Sequence, residues 1–91
     1  MVRYKMSDRI LAQDVISETV LLDMDKGSYF ELNEMGSAML THLRESGDPQ
    51  QVVAALMLKY EVDEDTVTHD LNTLLSQLEE HGLVIREEKG T

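Results

Sequence analysis

The chain contains no cysteine, which excludes disulfide bonds, a thiolate nucleophile and a cysteine-ligated zinc site. No stretch approaches the roughly 20 consecutive apolar residues that a membrane-spanning helix needs. Residues 1–10 (MVRYKMSDRI) also lack the apolar segment of a secretory signal peptide. Together these absences predict a cytoplasmic protein that does not enter a membrane.

The residues that usually carry catalysis are present but isolated. His42, His69 and His81 are far apart in the sequence, and no pair has the i, i+3 or i+4 spacing that lets two histidines share a metal on a helix. The serines form no nucleophile-elbow motif, and the glycines form no phosphate-binding loop. The sequence therefore predicts neither a catalytic residue, nor a metal site, nor a cofactor.

Basic residues are scarce, with 8 lysines and arginines against 18 acidic residues and a net charge of −10. None occurs between Lys59 and Arg86, an interval that contains Glu61, Asp63, Glu64, Asp65, Asp70, Glu79 and Glu80. Such acidity opposes binding to nucleic acid and to anionic membranes. These charges fit either a solvated surface or a docking surface for a basic or polar partner.

The 91 residues, 42% of them hydrophobic, suit a single domain, with a core expected over about residues 8–85 and a charged tail at 86–91. Glu18–Asp23 and Ser28–Leu32 have strand patterns and are separated by a polar, glycine-containing connection at residues 24–27. A third strand is expected within residues 9–16. These segments predict a three-stranded antiparallel sheet, while residues 1–8 are expected either to fray or to add an edge strand.

From Asn33 onward the hydrophobic period becomes helical, and three helices are expected. Asn33, Asp48 and Asp63 are suitable N-caps, Pro49 suits a first helical position, and Gly47 and Gly82 are suitable stops. The apolar stripes of the three helices are Met35, Met39, Leu40 and Leu43; Val52, Val53, Leu56, Met57 and Tyr60; and Val67, Leu71, Leu74, Leu75 and Leu78. Residues 83–85 are expected to cap the core or to form a final strand.

This order predicts an α+β fold, a winged helix-turn-helix with a three-stranded antiparallel N-terminal sheet followed by three helices. The competing architecture is a three-helix bundle with a disordered N-terminal arm. Winged helices often bind DNA, but the third helix, which would read the bases, has several acidic residues and neither lysine nor arginine. The charge pattern therefore favours recognition of a peptide or protein.

A small antiparallel sheet leaves an edge strand to which an extended peptide can add. Ser28–Leu32 is the best candidate, because it is aromatic and has no proline or lysine to protect the edge. If the third helix packs beside it, the groove between them is expected to be lined by Tyr29, Phe30, Val67, Leu71 and Leu74. The alternative is that Phe30, Leu32, Leu71 and Leu74 belong only to the core.

The segment Gly27-x-Tyr29-Phe30-x-Leu32-Asn33-x-x-Gly36 resembles the PqqD-like family. The resemblance continues through Val20–Asp23, Val52–Leu56, Tyr60–Asp63 and Gly82-Leu83, and so covers about residues 8–85. It implies a recognition element for the precursors of ribosomally made, post-translationally modified peptides. In that family the leader segment of the precursor adds as a strand in the cleft between the third strand and the third helix.

The resemblance implies a peptide-binding role for Ser28, Tyr29, Phe30, Glu31 and Leu32 on the strand; on the helix we infer Val67, Asp70, Leu71 and Leu74 from their spacing. The expected partners are the precursor peptide and a leader peptidase or another biosynthetic enzyme. Stand-alone recognition proteins of lasso peptide biosynthesis are the favoured type. The alternatives are a peptide chaperone for pyrroloquinoline quinone biosynthesis that works with a radical SAM enzyme and, less favoured, a transcription-associated winged helix.

Overall fold

A computed structural model describes residues 2–16 and 18–88 of the chain. Within these residues an antiparallel sheet is followed by a run of helices, and a second sheet joins the two ends of the chain. The elements in chain order are β1 (Val2–Met6), β2 (Ile10–Val15), β3 (Glu18–Asp23), β4 (Ser28–Leu32), α1 (Glu34–Ser46), α2 (Pro49–Lys59), α3 (Glu64–Glu80) and β5 (Val84–Glu88).

The predicted three-stranded antiparallel sheet is confirmed, with the order β2-β3-β4. The β3–β4 hairpin closes at the expected connection, where Gly27 has a φ of 66° and its N–H donates to the Asp23 carbonyl oxygen at 2.8 Å. A positive φ favours glycine, which has no Cβ to clash. Because β3 lies in the centre, β2 and β4 are both edge strands, and each leaves half of its backbone hydrogen-bonding groups unpaired within the sheet.

A second sheet pairs β1 with β5, so that Lys5 lies opposite Ile85. An N-terminal edge strand and a final strand after α3 were both possibilities from the sequence. Both strands form, and they pair with each other rather than with the three-stranded sheet. Residues 86–88, expected within a charged tail, belong to β5, where Glu87 lies 3.7 Å from Lys5 and Arg86 lies 2.8 Å from Glu88. The other residues of that expected tail, 89–91, lie outside the described residues.

The three predicted helix starts are confirmed by their capping hydrogen bonds. The side chain of Asn33 accepts a bond from the Gly36 N–H at 2.8 Å, that of Asp48 from Gln50 at 3.0 Å, and that of Asp63 from Thr66 at 3.2 Å. Each cap satisfies an N–H group that has no partner inside the helix. The alternative of a bare helical bundle with a disordered arm is wrong, because residues 2–6 and 10–15 are strands.

The core has two buried clusters, and α3 contributes to both. One is formed by α1, α2 and α3, and the other packs α1 and α3 against the two sheets. Met57 was expected on the buried side of α2 but is 41% exposed, because it lies about 100° around the helix from the fully buried Leu56. The α+β class with three helices is thus confirmed, although the strands form two sheets rather than one.

A buried carboxylate fixes the position of the sheet relative to the end of α3. Asp23 is only 2% exposed and accepts hydrogen bonds from the N–H groups of Asp25 and Lys26, both at 3.1 Å. Arg9 donates from Nε to Asp23 at 3.4 Å and from its second guanidinium nitrogen to the Gly82 carbonyl oxygen at 3.0 Å. Burial alone would raise the pKa of Asp23, but the Lys26 hydrogen bond, the Arg9 charge and the Asp25 hydrogen bond together lower it.

Candidate peptide-binding site

An open groove runs between the edge strand β4 and helix α3, and the first turns of α1 form its floor. Its volume is about 270 Å³. The residues that line it are Phe30, Glu31, Leu32, Asn33, Met35, Gly36, Met39, Asp70, Thr73, Leu74 and Gln77. The volume is below the roughly 300–1,000 Å³ of typical small-molecule pockets. A shallow groove beside an unpaired strand edge suits an extended peptide better than a compact ligand.

Strand β4 contributes the aromatic wall of the groove. Phe30 is half-buried, and its ring packs edge-on against the His81 ring, with 5.4 Å between the ring centroids. The His81 Nδ1 atom lies 2.8 Å from the carbonyl oxygen of Gln77, which also borders the groove. The end of α3 therefore holds Phe30 in place. Leu32, on the same face of the strand, is buried in the core and lines the groove with its remaining surface.

Helix α3 contributes the opposite wall through Asp70, Thr73, Leu74 and Gln77, which follow the i, i+3, i+4, i+7 spacing of one helix face. Two of the residues expected on this wall, Asp70 and Leu74, are among them. Val67 and Leu71 are not: they are 2% and 1% exposed and belong to the core. Leu71 instead borders a separate hollow of about 400 Å³ between α2 and α3. The expectation that Val67 and Leu71 line the groove was therefore wrong.

Tyr29 was also expected in the groove but does not line it. Successive side chains of a strand point to opposite faces, so Phe30 and Leu32 face the core and the groove, whereas Tyr29 faces away and is 67% exposed. Glu31 shares the face of Tyr29 but, nearer to α1 along the strand, still borders the groove. Ser28 lies opposite Asp23 at the hairpin end and is not among the lining residues. A peptide paired with β4 would reach Ser28 and Tyr29 through their backbone.

The floor of the groove comes from α1 and was not predicted as part of a site. Met35 and Met39 supply its apolar surface, and Gly36 supplies a position without a side chain. A Cβ at Gly36 would lie 3.3 Å from Oδ1 of Asn33 and 3.5 Å from the side chain of Leu32. The abrupt change from strand to helix at Asn33 was the sequence signal for this floor, since it brings the first turn of α1 against the end of β4.

The described residues were compared with the arrangements that hold a metal ion or span a membrane. Across residues 2–16 and 18–88, no cluster of three or more histidine, aspartate or glutamate side chains is placed to hold a metal ion. In the same part of the chain, no helix combines the length and the apolar character that crossing a membrane requires. The groove instead offers apolar side chains, hydrogen-bonding groups and an unpaired strand edge. These features are those of a small α+β protein whose groove suits an extended peptide.

The family model for coenzyme PQQ synthesis protein D (PqqD) matches residues 18–84, which include β3, β4, all three helices and the first residue of β5. This match spans more than half of the chain. The chain therefore belongs to the PqqD family, as the motif in β4 and α1 had indicated. A comparison with curated proteins gave no significant match.

Two solved structures share the fold. One is TbiB1 in complex with the TbiA(beta) leader peptide, which is 33% identical, with a TM-score of 0.83 over 96% of this chain and 99% of that chain. The other is lasso peptide synthetase B1 complexed with the leader peptide, which is 25% identical, with a TM-score of 0.83 over 91% of this chain and 98% of that chain. Both matches cover a larger share of the chain than the family match to residues 18–84 does.

Proposed function

We propose that this chain is a non-catalytic recognition protein that binds the leader segment of a ribosomally synthesised precursor peptide in lasso peptide biosynthesis. The observation that carries the proposal is the groove between β4 and α3, which lies beside an unpaired strand edge. Membership of the PqqD family and similarity to two leader-peptide complexes support it. We take residues 1–91 as one recognition domain, of the winged helix-turn-helix type that the three closely spaced helices suggest.

In this proposal the leader adds to β4 as a further strand. Alternate residues of Ser28–Leu32 direct their N–H and C=O groups away from β3 and would pair with the peptide backbone. Side chains on one face of the peptide would contact Phe30, Leu74 and the two methionines of the floor. Asp70, Thr73 and Gln77 would supply polar contacts along the α3 wall. Backbone pairing provides affinity for any extended peptide, and these side chains provide selectivity.

The bound leader would then be presented to a leader peptidase or another biosynthetic enzyme in the cytoplasm. A role in pyrroloquinoline quinone biosynthesis with a radical SAM enzyme is the second candidate, because the matching family takes its description from that pathway. The two roles use the same groove and differ in the peptide. The similarity of the chain, over nearly its full length, to two leader-peptide complexes, one named as a lasso peptide synthetase, favours the lasso pathway.

The test is a titration of the purified protein against a fluorescein-labelled synthetic leader peptide, with fluorescence anisotropy as the readout. The leader is taken from the precursor gene beside the gene of this chain, and a scrambled peptide of the same composition is the control. We expect saturable binding of the leader and no saturation with the scrambled peptide. Equal affinity for both peptides, or no binding by the folded protein, would contradict the proposal.

A further inference from the structure

The outer face of the β2-β3-β4 sheet carries an exposed apolar surface. The register places Leu11, Leu22 and Tyr29 side by side across the three strands. Leu11 is 47% exposed, Tyr29 is 67% exposed and Leu22 is half-buried between them. Val20 lies further along the same face of β3, and Val15, at the end of β2, is also exposed. A face of an antiparallel sheet that meets only solvent normally alternates to polar residues.

Ile16 extends this surface at the tip of the β2–β3 hairpin. Its side chain is 92% exposed and its φ is 33°. Positive φ values are unfavourable for β-branched residues, and short hairpin connections favour asparagine or glycine at such positions. Neither burial nor backbone conformation therefore explains an isoleucine here. Ile16 follows Val15 in the chain and so enlarges the contiguous apolar surface of this sheet, and a contiguous exposed apolar surface points to a contact with another molecule. We define the outer face as Leu11, Val15, Ile16, Val20, Leu22 and Tyr29.

The charges around the outer face indicate what kind of surface covers it. Glu18 and Glu31 point to the same side as these apolar residues, and the remaining outward position on β2 is Gln13. No outward position of the three strands carries lysine or arginine. A second copy of this chain, which also has a net charge of −10, would bring carboxylates against carboxylates. The complementary partner has apolar side chains at its centre and basic side chains at its rim.

The position of the outer face relative to the groove suggests which partner this is. Strand β4 directs Phe30 and Leu32 toward the groove and Tyr29 and Glu31 toward the outer face. A protein docked on the outer face would therefore contact the strand that borders the bound peptide. We propose that the outer face docks the leader peptidase that processes this peptide, through a surface of the peptidase that is apolar at its centre and basic at its rim. This proposal rests on the proposed function.

The test compares substitutions of exposed apolar residues on the outer face with one elsewhere on the protein. Ile16→Asn and Leu11→Gln remove apolar surface from the outer face, and Asn also suits a positive φ, so Ile16→Asn should not lower stability. Leu58→Asn is the matched control, because Leu58 lies on α2 and, like Ile16, is 92% exposed. The affinity of each variant for the purified leader peptidase encoded beside the gene of this chain is measured by biolayer interferometry. Leader affinity is measured in parallel.

We expect both outer-face variants to weaken peptidase binding by about tenfold or more, as central apolar contacts do in other interfaces. Leu58→Asn should bind the peptidase as the parent protein does, and all three variants should keep the leader affinity of the parent protein. Unchanged peptidase affinity in both variants, an equal loss in Leu58→Asn, or no peptidase binding by the parent protein would overturn the proposal. So would a dimer seen by analytical ultracentrifugation that Ile16→Asn dissociates. Absence of leader binding by the parent protein would instead contradict the proposed function. The leader-affinity measurement detects that outcome separately from the loss of peptidase binding.

Discussion

Helix α3 presents two neighbouring stripes, one apolar and one mostly polar, that have different roles. The core stripe, formed by Val67, Leu71, Leu75 and Leu78, is buried against the rest of the protein. The groove stripe, formed by Asp70, Thr73, Leu74 and Gln77, faces β4 across the groove. The two stripes are separated by about one residue around the helix, or roughly 100°. One helix can therefore both stabilise the fold and form a binding wall, and substitutions in the two stripes should separate stability from binding.

The largest effect is expected in the core stripe. Leu71→Ala removes a fully buried side chain and should lower the free energy of unfolding by about 2–5 kcal/mol, from lost burial and the cavity left behind. Urea unfolding followed by circular dichroism measures this change. Leader affinity, measured where the variant is still folded, should stay near that of the parent protein. A stable Leu71→Ala variant with weakened leader binding would mean that the two stripes had been assigned the wrong roles.

Thr73→Arg tests the groove stripe by filling the groove. Thr73 is exposed and lines the groove, so a long side chain there should obstruct the peptide without disturbing the core. We expect leader binding to weaken by at least about tenfold, equivalent to about 1.4 kcal/mol, with an unchanged unfolding midpoint. Ser76→Arg is the matched control, because Ser76 is exposed on the same helix outside the groove. If both arginine variants bind the leader equally well, the groove stripe is not the binding wall.

Leu74 belongs to both regions, since it is half-buried against both core clusters and also lines the groove. Leu74→Ala should therefore lower the free energy of unfolding by only about 1–2 kcal/mol. It should also weaken leader binding by about threefold to tenfold, since it removes apolar contact area at the wall. Anisotropy titration and urea unfolding of one preparation measure both effects. A change in stability alone would place Leu74 wholly in the core stripe.

The smallest effect concerns Asp23, the buried carboxylate whose partner Arg9 also bonds to Gly82 at the end of α3. The pKa of Asp23 is lowered in the folded state. The Asp23 carboxylate therefore stabilises the fold at pH values above its pKa in the unfolded chain, about 3.9, and this stabilisation disappears as the pH falls through its lower pKa in the folded protein. The parent protein should lose stability below about pH 4, and Asp23→Asn should lose less over the same range while being less stable at neutral pH. Urea unfolding at pH values from about 2 to 7 measures this. If the stabilities of the parent protein and Asp23→Asn changed in parallel with pH, the lowered pKa of Asp23 would be contradicted.

The sequence predicted most of the fold because its local signals agree with its tertiary structure. Asn33, Asp48 and Asp63 cap the helices as their residue types indicate, and Gly27 closes the hairpin as expected. The β1–β5 sheet was harder to predict, because its strands are charged and their partners lie at opposite ends of the chain. Register between distant strands depends on three-dimensional packing that local patterns do not contain.

The candidate site was only partly predictable, for a reason that the two stripes illustrate. Helical period identifies apolar positions, but it does not tell which of two adjacent stripes meets the core. Leu71 and Leu74 look alike in the sequence, yet α2 packs over the first and leaves the second facing β4. Met35 and Met39 were predicted only as part of the apolar stripe of α1, and they pack in the core and also line the groove. The roles of the individual groove residues in binding stay a prediction.

The central claim is that a leader peptide adds to the edge of β4, and amide hydrogen exchange tests it directly. Exchange is measured by NMR on the ¹⁵N-labelled protein, alone and saturated with the leader peptide. We predict that exchange slows at the N–H groups of Ser28–Leu32 that point away from β3, while the equivalent groups of the other edge strand, Ile10–Val15, are unchanged. Slower exchange along Ile10–Val15, or no change along Ser28–Leu32 with the peptide bound, would contradict the account.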